Sequence, residues 1–216
     1  KNINQLKEVF LGLNSESCPS TINFHCHTTF SDGSMTPEIL IKQAKQLELS
    51  HLAVTDHHSV KAYPIMKEWL IKNQQSQIIL PKLWTGIEIT CILHKCLVHV
   101  LGFGFDNDHP SMRIYSQGNS VIGDDLQASS VVKSIHKAGG LAFLAHPARY
   151  RIDFRLLLEE AFKIEFDGAE VWYDYNYSKN WQPTPFICES INKLVNEYGK
   201  LSCCGTDTHG FSLKGR

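Results

Sequence analysis

Short apolar runs that each deliver a histidine or a carboxylate recur along this chain, and no other feature constrains the fold as much. Ile22-Asn23-Phe24-His25 leads into Cys26-His27, and Leu52-Ala53-Val54 leads into Thr55-Asp56-His57-His58. Leu83 to Ile89 carries Glu88, and Cys96 to Phe103 carries His99. Leu141 to Ala145 ends at His146, and Leu201 to Cys204 precedes Asp207 and His209. Each run has the length of a strand. Between them lie stripes with helical spacing, such as Leu40, Ala44 and Leu47, or Val131, Ile135 and Ala138. Repeated strand–helix alternation predicts a parallel sheet with helical crossovers. In such α/β folds, side chains at the C-terminal ends of the strands converge on one place. The strand number suits a barrel, with a doubly wound open sheet as the competing architecture.

Local signals set the boundaries. Ile3, Leu6, Phe10 and Leu13 form a first helical stripe. Thr36-Pro37 reads as an N-cap followed by proline at the first helical position. Val60 to Asn73 reads as a helix, and His94 falls in a hairpin between Glu88 and His99. Asp124 or Asp125 opens the next helix, which Gly139-Gly140 ends. Leu141 to Ala145 is uninterrupted apolar sequence, as expected of a strand covered on both faces. Phe154 to Lys163 is helical, Gly168 to Trp172 is a strand, and Ile187 to Tyr198 is the last helix. Asn107 to Gly123 has no clear pattern.

At 216 residues the chain supports one sizeable core, so residues 1–216 are read as a single domain. A formal net charge of −1 gives no long-range attraction to nucleic acid. No apolar run is long enough to span a bilayer, and Lys1 to Leu13 does not have the contiguous apolar stretch of a secretory signal. The cysteines number 7, an odd count without a CxxC pair. That usage points to a reducing compartment and a cytoplasmic location, with most cysteines serving as small buried hydrophobes.

The polar residues at the strand ends form a metal-type inventory: His25, His27, Asp32, His57, Glu88, His99, His146, Asp207 and His209. His25 and His27 are two apart on a strand and so point the same way. Six imidazoles and three carboxylates exceed what one tetrahedral ion needs and suit two or three divalent ions with shared carboxylates. Nitrogen and oxygen donors fit manganese, zinc or iron without choosing among them. Unpaired, so many ionisable groups would be costly to bury, and coordination removes that cost. His51, His94, His109 and His136 read as packed or surface histidines. His58 adjoins the cluster and is a candidate for substrate binding or leaving-group protonation.

The segments HCHTTFSDG, TDHHSV, GIEIT, His99 before LGFG, AHP and GTDTH, in that order, resemble the polymerase and histidinol phosphatase (PHP) family. The resemblance runs from His25 to His209. It implies a distorted (β/α)7 barrel related to the TIM barrel, with a trinuclear site at its C-terminal mouth. It assigns His25, His27, Glu88 and Asp207 to one ion. Glu88, His99 and His146 are assigned to a second, and Asp32, His57 and His209 to a third. Asp56 would orient a ligand imidazole, or else serve as a turn residue. The implied activity is hydrolysis of phosphate esters by attack of a metal-bound hydroxide. Within the family, the TPEIL, TDHHSV and AHPARYR segments are most similar to the branch acting on nucleoside 3′,5′-bisphosphates and short oligoribonucleotides. Arg149 matches a phosphate-contacting position there, with a surface arginine as the plain alternative. The implied partner is a small phosphorylated substrate, a nucleotide or short RNA, and neither a membrane nor a stable protein partner. Segment 100–145 is too short for the inserted domain that many members of this branch carry. A phosphate-binding regulator without catalysis and a histidinol-phosphatase-like enzyme are the competing functions.

Overall fold

The apolar runs become the staves of a sheet wrapped into a barrel. The computed structural model describes residues 3–74 and 79–216. Strands β1 (Ile22–Asn23), β2 (His51–Ala53) and β3 (Lys82–Trp84) pair in parallel in that order. Strands β4 (Gly86–Leu93), β5 (Cys96–Phe103), β6 (Leu141–Leu144), β7 (Gly168–Trp172) and β8 (Leu201–Cys204) form a second sheet, also in chain order. Thr85 alone separates β3 from β4, so one bent stave joins the two sheets.

Hydrogen bonds close the other seam. Phe24 N donates to Cys204 O at 3.1 Å, Asp207 N to His25 O at 2.8 Å, and His27 N to Thr208 O at 3.0 Å. The chain after β2 is tied to β4 by Glu88 N donating to Asp56 O (3.2 Å) and His58 N donating to Glu88 O (2.9 Å). With β3 and β4 counted together, seven staves go round the barrel, and the α/β, TIM-barrel-related expectation holds.

The parallel order expected from strand–helix alternation is interrupted at the hairpin expected around His94. β5 is antiparallel to both β4 and β6. The cause is local: His94 (φ 48°) and Lys95 (φ 62°) both sit in the left-handed region, forming the two-residue turn that suits a tight hairpin. No crossover helix fits between strands joined so closely. The register places Thr90 opposite His99 and Glu88 opposite Leu101, so the hairpin returns His99 to the level of the strand that carries Glu88.

Among the described residues six helices surround the sheet: α1 (Ile3–Leu11), α2 (Pro37–Gln46), α3 (Ala62–Lys72), α4 (Ala128–Lys137), α5 (Phe154–Lys163) and α6 (Pro185–Glu197). α1 buries Leu6 and Phe10, and Phe10 packs on Phe24 (4.9 Å between ring centroids) and Phe143 (4.6 Å), inside the core. α2 is capped as expected: Thr36 accepts from Ile39 N, and Pro37 occupies the first turn. α4 starts later than expected, at Ala128. Asp124 and Asp125 instead lie in a short 3-10 turn, Gly123–Leu126, that precedes it. The patternless stretch contains a second 3-10 turn, Pro110–Tyr115, whose Met112 and Tyr115 are buried. Its apolar residues are too few to show periodicity. Among the described residues, no helix is long and apolar enough to cross a membrane.

Candidate metal centre

Strands β1, β2, β4, β5, β6 and β8, or the chain just after them, each contribute one or more polar side chains, and they meet. Extended chain after β1 carries His25 and His27, both fully buried. The turn that follows carries Asp32, the β2 end carries His57, β4 carries Glu88 and β5 carries His99. His146 follows β6 directly, and Asp207 and His209 follow β8. Two of these residues take left-handed backbone to aim their side chains, His146 at φ 28° and Asp207 at φ 52°. That conformation is uncommon outside glycine and persists where surrounding contacts fix it.

Glu88 stands at the centre. Its Oε2 lies 3.1 Å from His25 Nε2, 3.2 Å from His27 Nε2 and 3.6 Å from His57 Nε2. Its Oε1 lies 2.7 Å from His99 Nδ1 and 3.3 Å from His146 Nε2. Asp207 Oδ1 is 3.2 Å from His25 Nε2 and 3.1 Å from His27 Nε2. At the rim, Asp32 Oδ2 is 3.2 Å from His209 Nε2 and 3.6 Å from His57 Nε2. All nine expected residues are therefore brought together. His25, His27, Glu88, His146 and Asp207 form a buried floor, and Asp32, His57, His99 and His209 form a half-open rim.

Donor atoms that share an ion at about 2.0–2.2 Å stand roughly 3 Å apart by simple geometry. The spacings above fall around that value. Three overlapping groups are close enough to hold an ion: His25, His27, Glu88 and Asp207; His27, Asp32, His57 and His209; and His57, Glu88 and His99. Moreover, His27 Nδ1, Glu88 Oε1, His99 Nδ1 and His146 Nδ1 are buried with no hydrogen-bond partner. Buried polar atoms are nearly always satisfied, so a cluster of exceptions calls for a ligand. The donor set fits divalent ions.

The electrostatics agree. Burial disfavours charge on Glu88, yet His25, His99 and His146 outweigh it and hold the carboxyl well below its usual range. Asp207 is likewise lowered against burial, by His25 and His27. Burial opposes protonation of His27, but hydrogen bonds to Asp207 and Glu88 prevail and raise its pKa to about 9. His57, with burial dominant, is lowered to about 4. A hydrogen bond from His209 is the main cause that holds Asp32 ionised. The cluster thus keeps its carboxylates charged and competes for cations of some kind.

Three further expectations meet the geometry differently. Asp56 is fully buried, but it accepts from Thr28 N (2.6 Å), Thr28 Oγ1 (2.6 Å) and Ser31 Oγ (2.7 Å) rather than from an imidazole. It braces the loop between His27 and Asp32, closer to the turn reading. His58 is buried, and its Nε2 accepts from Thr90 N (3.1 Å), so the ring holds main chain in place instead of facing the cluster. Burial lowers its pKa. Arg149 does reach the centre: its Nη1 donates to Asp207 Oδ2 (3.1 Å) and to the Tyr173 hydroxyl (3.2 Å). Of the histidines read as structural, His136 is not simply solvated, since its Nε2 lies 2.8 Å from Asp167 Oδ2.

Residues not singled out from sequence also belong here. Glu170, fully buried on β7, lies 2.8 Å from His25 Nδ1 and accepts from His146 N at 2.9 Å. The Tyr173 hydroxyl donates to Asp207 Oδ2 at 2.7 Å, and Arg216 Nε lies 3.2 Å from the same oxygen. A glutamate within the apolar strand Gly168–Trp172 was the available signal for Glu170. Nothing in sequence separates Tyr173 or Arg216 from their neighbours.

A barrel whose strands gather imidazoles and carboxylates at ion-sharing distances has the donor set of a candidate metal centre. The chain belongs to the PHP domain family, whose model matches residues 23–169. It is 34% identical over 91 residues to the 5′-3′ exoribonuclease Rnm of Salmonella typhimurium, covering 42% of this chain and 30% of that protein. It is 26% identical over 144 residues to the Escherichia coli protein of the same name, covering 61% of this chain and 48% of the relative. The matches thus span half or less of these relatives. Among solved structures, a Bifidobacterium adolescentis protein provisionally assigned as a metal-dependent phosphoesterase superposes with a TM-score of 0.71 at 20% identity, covering 92% of this chain and 90% of that one. The lesion-specific endonuclease of Pyrococcus furiosus superposes with a TM-score of 0.55 at 14% identity, covering 88% and 48%.

Proposed function

We propose that residues 1–216 act as one catalytic domain that hydrolyses phosphate esters of nucleotides or short oligoribonucleotides at a site of two or three divalent ions. The observation that carries this reading is Glu88, whose two oxygens face five imidazoles on or just after four strands at 2.7–3.6 Å. His25, His27, Glu88 and Asp207 would hold one ion. Glu88, His99 and His146 would hold a second, and Asp32, His57 and His209 a third, at the rim. Bound there, the ions would acidify a water and offset charge on the phosphoryl oxygens.

The protein's own groups supply the rest. Glu88 carries its carboxylate between the floor and the rim, which suits a bridging role. Arg149 presents a planar guanidinium beside the cluster, matched to phosphate oxygens. Tyr173 and Asp207 hold that guanidinium in place. Asp56 fixes the loop that carries Asp32, so the exposed third position stays in register with the buried two. The kinship with exoribonucleases supports a nucleotide or short RNA as substrate, and the exposed rim leaves room for one end of such a chain.

The test is phosphate release from a panel of nucleoside monophosphates, nucleoside 3′,5′-bisphosphates, short 5′-phosphorylated oligoribonucleotides and histidinol phosphate. It is run with protein loaded with manganese, zinc or iron. Release from the nucleotide members is expected. Activity confined to histidinol phosphate, or none on any member, would overturn the substrate assignment.

A further inference from the structure

We propose that Glu170 is a positioning residue that sets the tautomer of His25 and so makes its Nε2 available as a donor. The inference rests on the reading of His25 as an ion ligand. It concerns a residue that reaches no ion position itself.

Glu170 lies in the middle of β7, where Gly168, Ala169, Val171 and Trp172 are all buried and uncharged. A carboxylate in such a strand is costly unless both oxygens are used. Both are. Oε1 is 2.8 Å from His25 Nδ1, and Oε2 accepts the His146 amide at 2.9 Å. An ionised carboxylate only accepts, so the shared proton sits on His25 Nδ1. In the neutral ring that an ion requires, the opposite nitrogen, Nε2, then carries the lone pair. That nitrogen faces Glu88 Oε2 at 3.1 Å and Asp207 Oδ1 at 3.2 Å. The division of the ring is complete: one nitrogen is held by Glu170, and the other is presented to the cluster.

The second oxygen extends the same control to His146. This residue lies just beyond β6 with φ 28°, and its amide donates to a side chain instead of a neighbouring strand. Glu170 satisfies that amide, while the His146 ring turns its Nε2 to within 3.3 Å of Glu88 Oε1. One carboxylate therefore aims two imidazoles at the two oxygens of Glu88.

Glutamine cannot do this. Its side chain offers one acceptor and one donor to two sites that both donate. If its amide nitrogen faces the ring, His25 Nδ1 must become the acceptor. The proton then moves to Nε2, and the ring is lost as a ligand. If the nitrogen faces His146 instead, two donors oppose each other. Aspartate keeps both acceptors on a shorter arm.

Two measurements on purified protein decide the matter: zinc affinity by chelator competition, and nitrogen-15 NMR of the histidine rings in the zinc-loaded state. Wild type is expected to show His25 protonated on Nδ1. Glu170→Gln is expected to bind zinc about 10–100-fold more weakly, the range typical for partners of ligand histidines, and to lose the Nδ1 proton. Glu170→Asp is expected to keep that proton. The inference is overturned if Glu170→Gln binds zinc as tightly as wild type, if Glu170→Asp loses the proton, or if wild-type His25 has no Nδ1 proton. The last readout needs no variant, so a misfolded Glu170→Gln leaves the question decidable. Wild type that binds no zinc would instead refute the ligand reading of His25 and remove the basis for this role.

Discussion

Glu88 Oε1 and His99 Nδ1 are 2.7 Å apart, yet neither atom has a hydrogen-bond partner. Close approach without the angles of a hydrogen bond is how two donors to a shared third atom are arranged. The same spacing recurs around Glu88 and Asp207, and it is the main physical sign that these groups coordinate rather than pair. A buried ionised carboxylate among imidazoles could also be stabilised by protonating them, and this leads to a prediction about protons.

Ion binding should release protons. Without an ion, His27 has a pKa of about 9, so near neutral pH it carries a proton that a ligand nitrogen must give up. His25 is also raised, with Glu170, Glu88 and Asp207 together outweighing burial. His57, lowered to about 4, has no proton to lose there. Calorimetric titration with zinc at pH 7.5 in buffers of different ionisation enthalpy should show net proton release. Affinity should fall as pH falls below about 9, the value for His27. A heat independent of buffer would contradict the protonation scheme.

Arg149 should matter for substrate more than for the ions. It contacts Asp207 on Oδ2, away from the Oδ1 that faces His25 and His27. Arg149→Ala removes a charged hydrogen-bonding group worth about 1.5–3 kcal/mol, so kcat/KM should drop about 10–150-fold. Zinc stoichiometry should stay at the wild-type value. Arg149→Lys should recover only part of the loss, because it lacks the planar fork.

Asp56 should show itself in stability and loop order. Its carboxylate receives one amide and two hydroxyls from the 28–31 turn. Asp56→Ala leaves buried donors unmet, at a cost of about 1–3 kcal/mol each where no water enters. Three unmet donors together cost about 3–9 kcal/mol, so at about 2–4 °C per kcal/mol for a chain of this size the melting temperature should fall by at least about 6 °C. Amide exchange should quicken over 28–33. An unchanged melting temperature would count against the bracing role.

Gly205 should not tolerate a side chain. A Cβ there would sit 2.2 Å from His25 Cβ and 2.3 Å from His25 N. The seam between β8 and the chain after β1 closes through this contact, so Gly205→Ala must push His25 away from Asp207. The variant should lose several degrees of melting temperature and most zinc binding together. Loss of neither would mean the seam is looser than described.

Much of this centre is legible in the sequence because strand ends impose it. A buried parallel strand has an apolar body, so a histidine or carboxylate at its end stands out, as His146 does after Leu141–Ala145 and Glu88 does within β4. The same logic located His25, His27, Asp207 and His209. It failed where a side chain acts through main chain. Asp56 and His58 adjoin a candidate ligand, His57, but Asp56 accepts from the Thr28 amide and the Thr28 and Ser31 hydroxyls, and His58 from the Thr90 amide. Glu170 sits inside an apolar strand just as Glu88 does, and it was missed because no neighbouring polar motif drew attention to it. The hairpin at His94 was legible from the short spacing between two apolar runs, and it turns on the left-handed pair His94-Lys95, without the glycine or asparagine usual there.

The central claim is that Glu88 joins separate ion positions, and ion stoichiometry tests it most directly. Equilibrium dialysis against zinc, read by elemental analysis, should give two or three ions per wild-type chain. For Glu88→Gln, with its fold checked by circular dichroism, at least one ion fewer is expected. Equal stoichiometry in the two proteins, or no bound ion in wild type, would contradict the account.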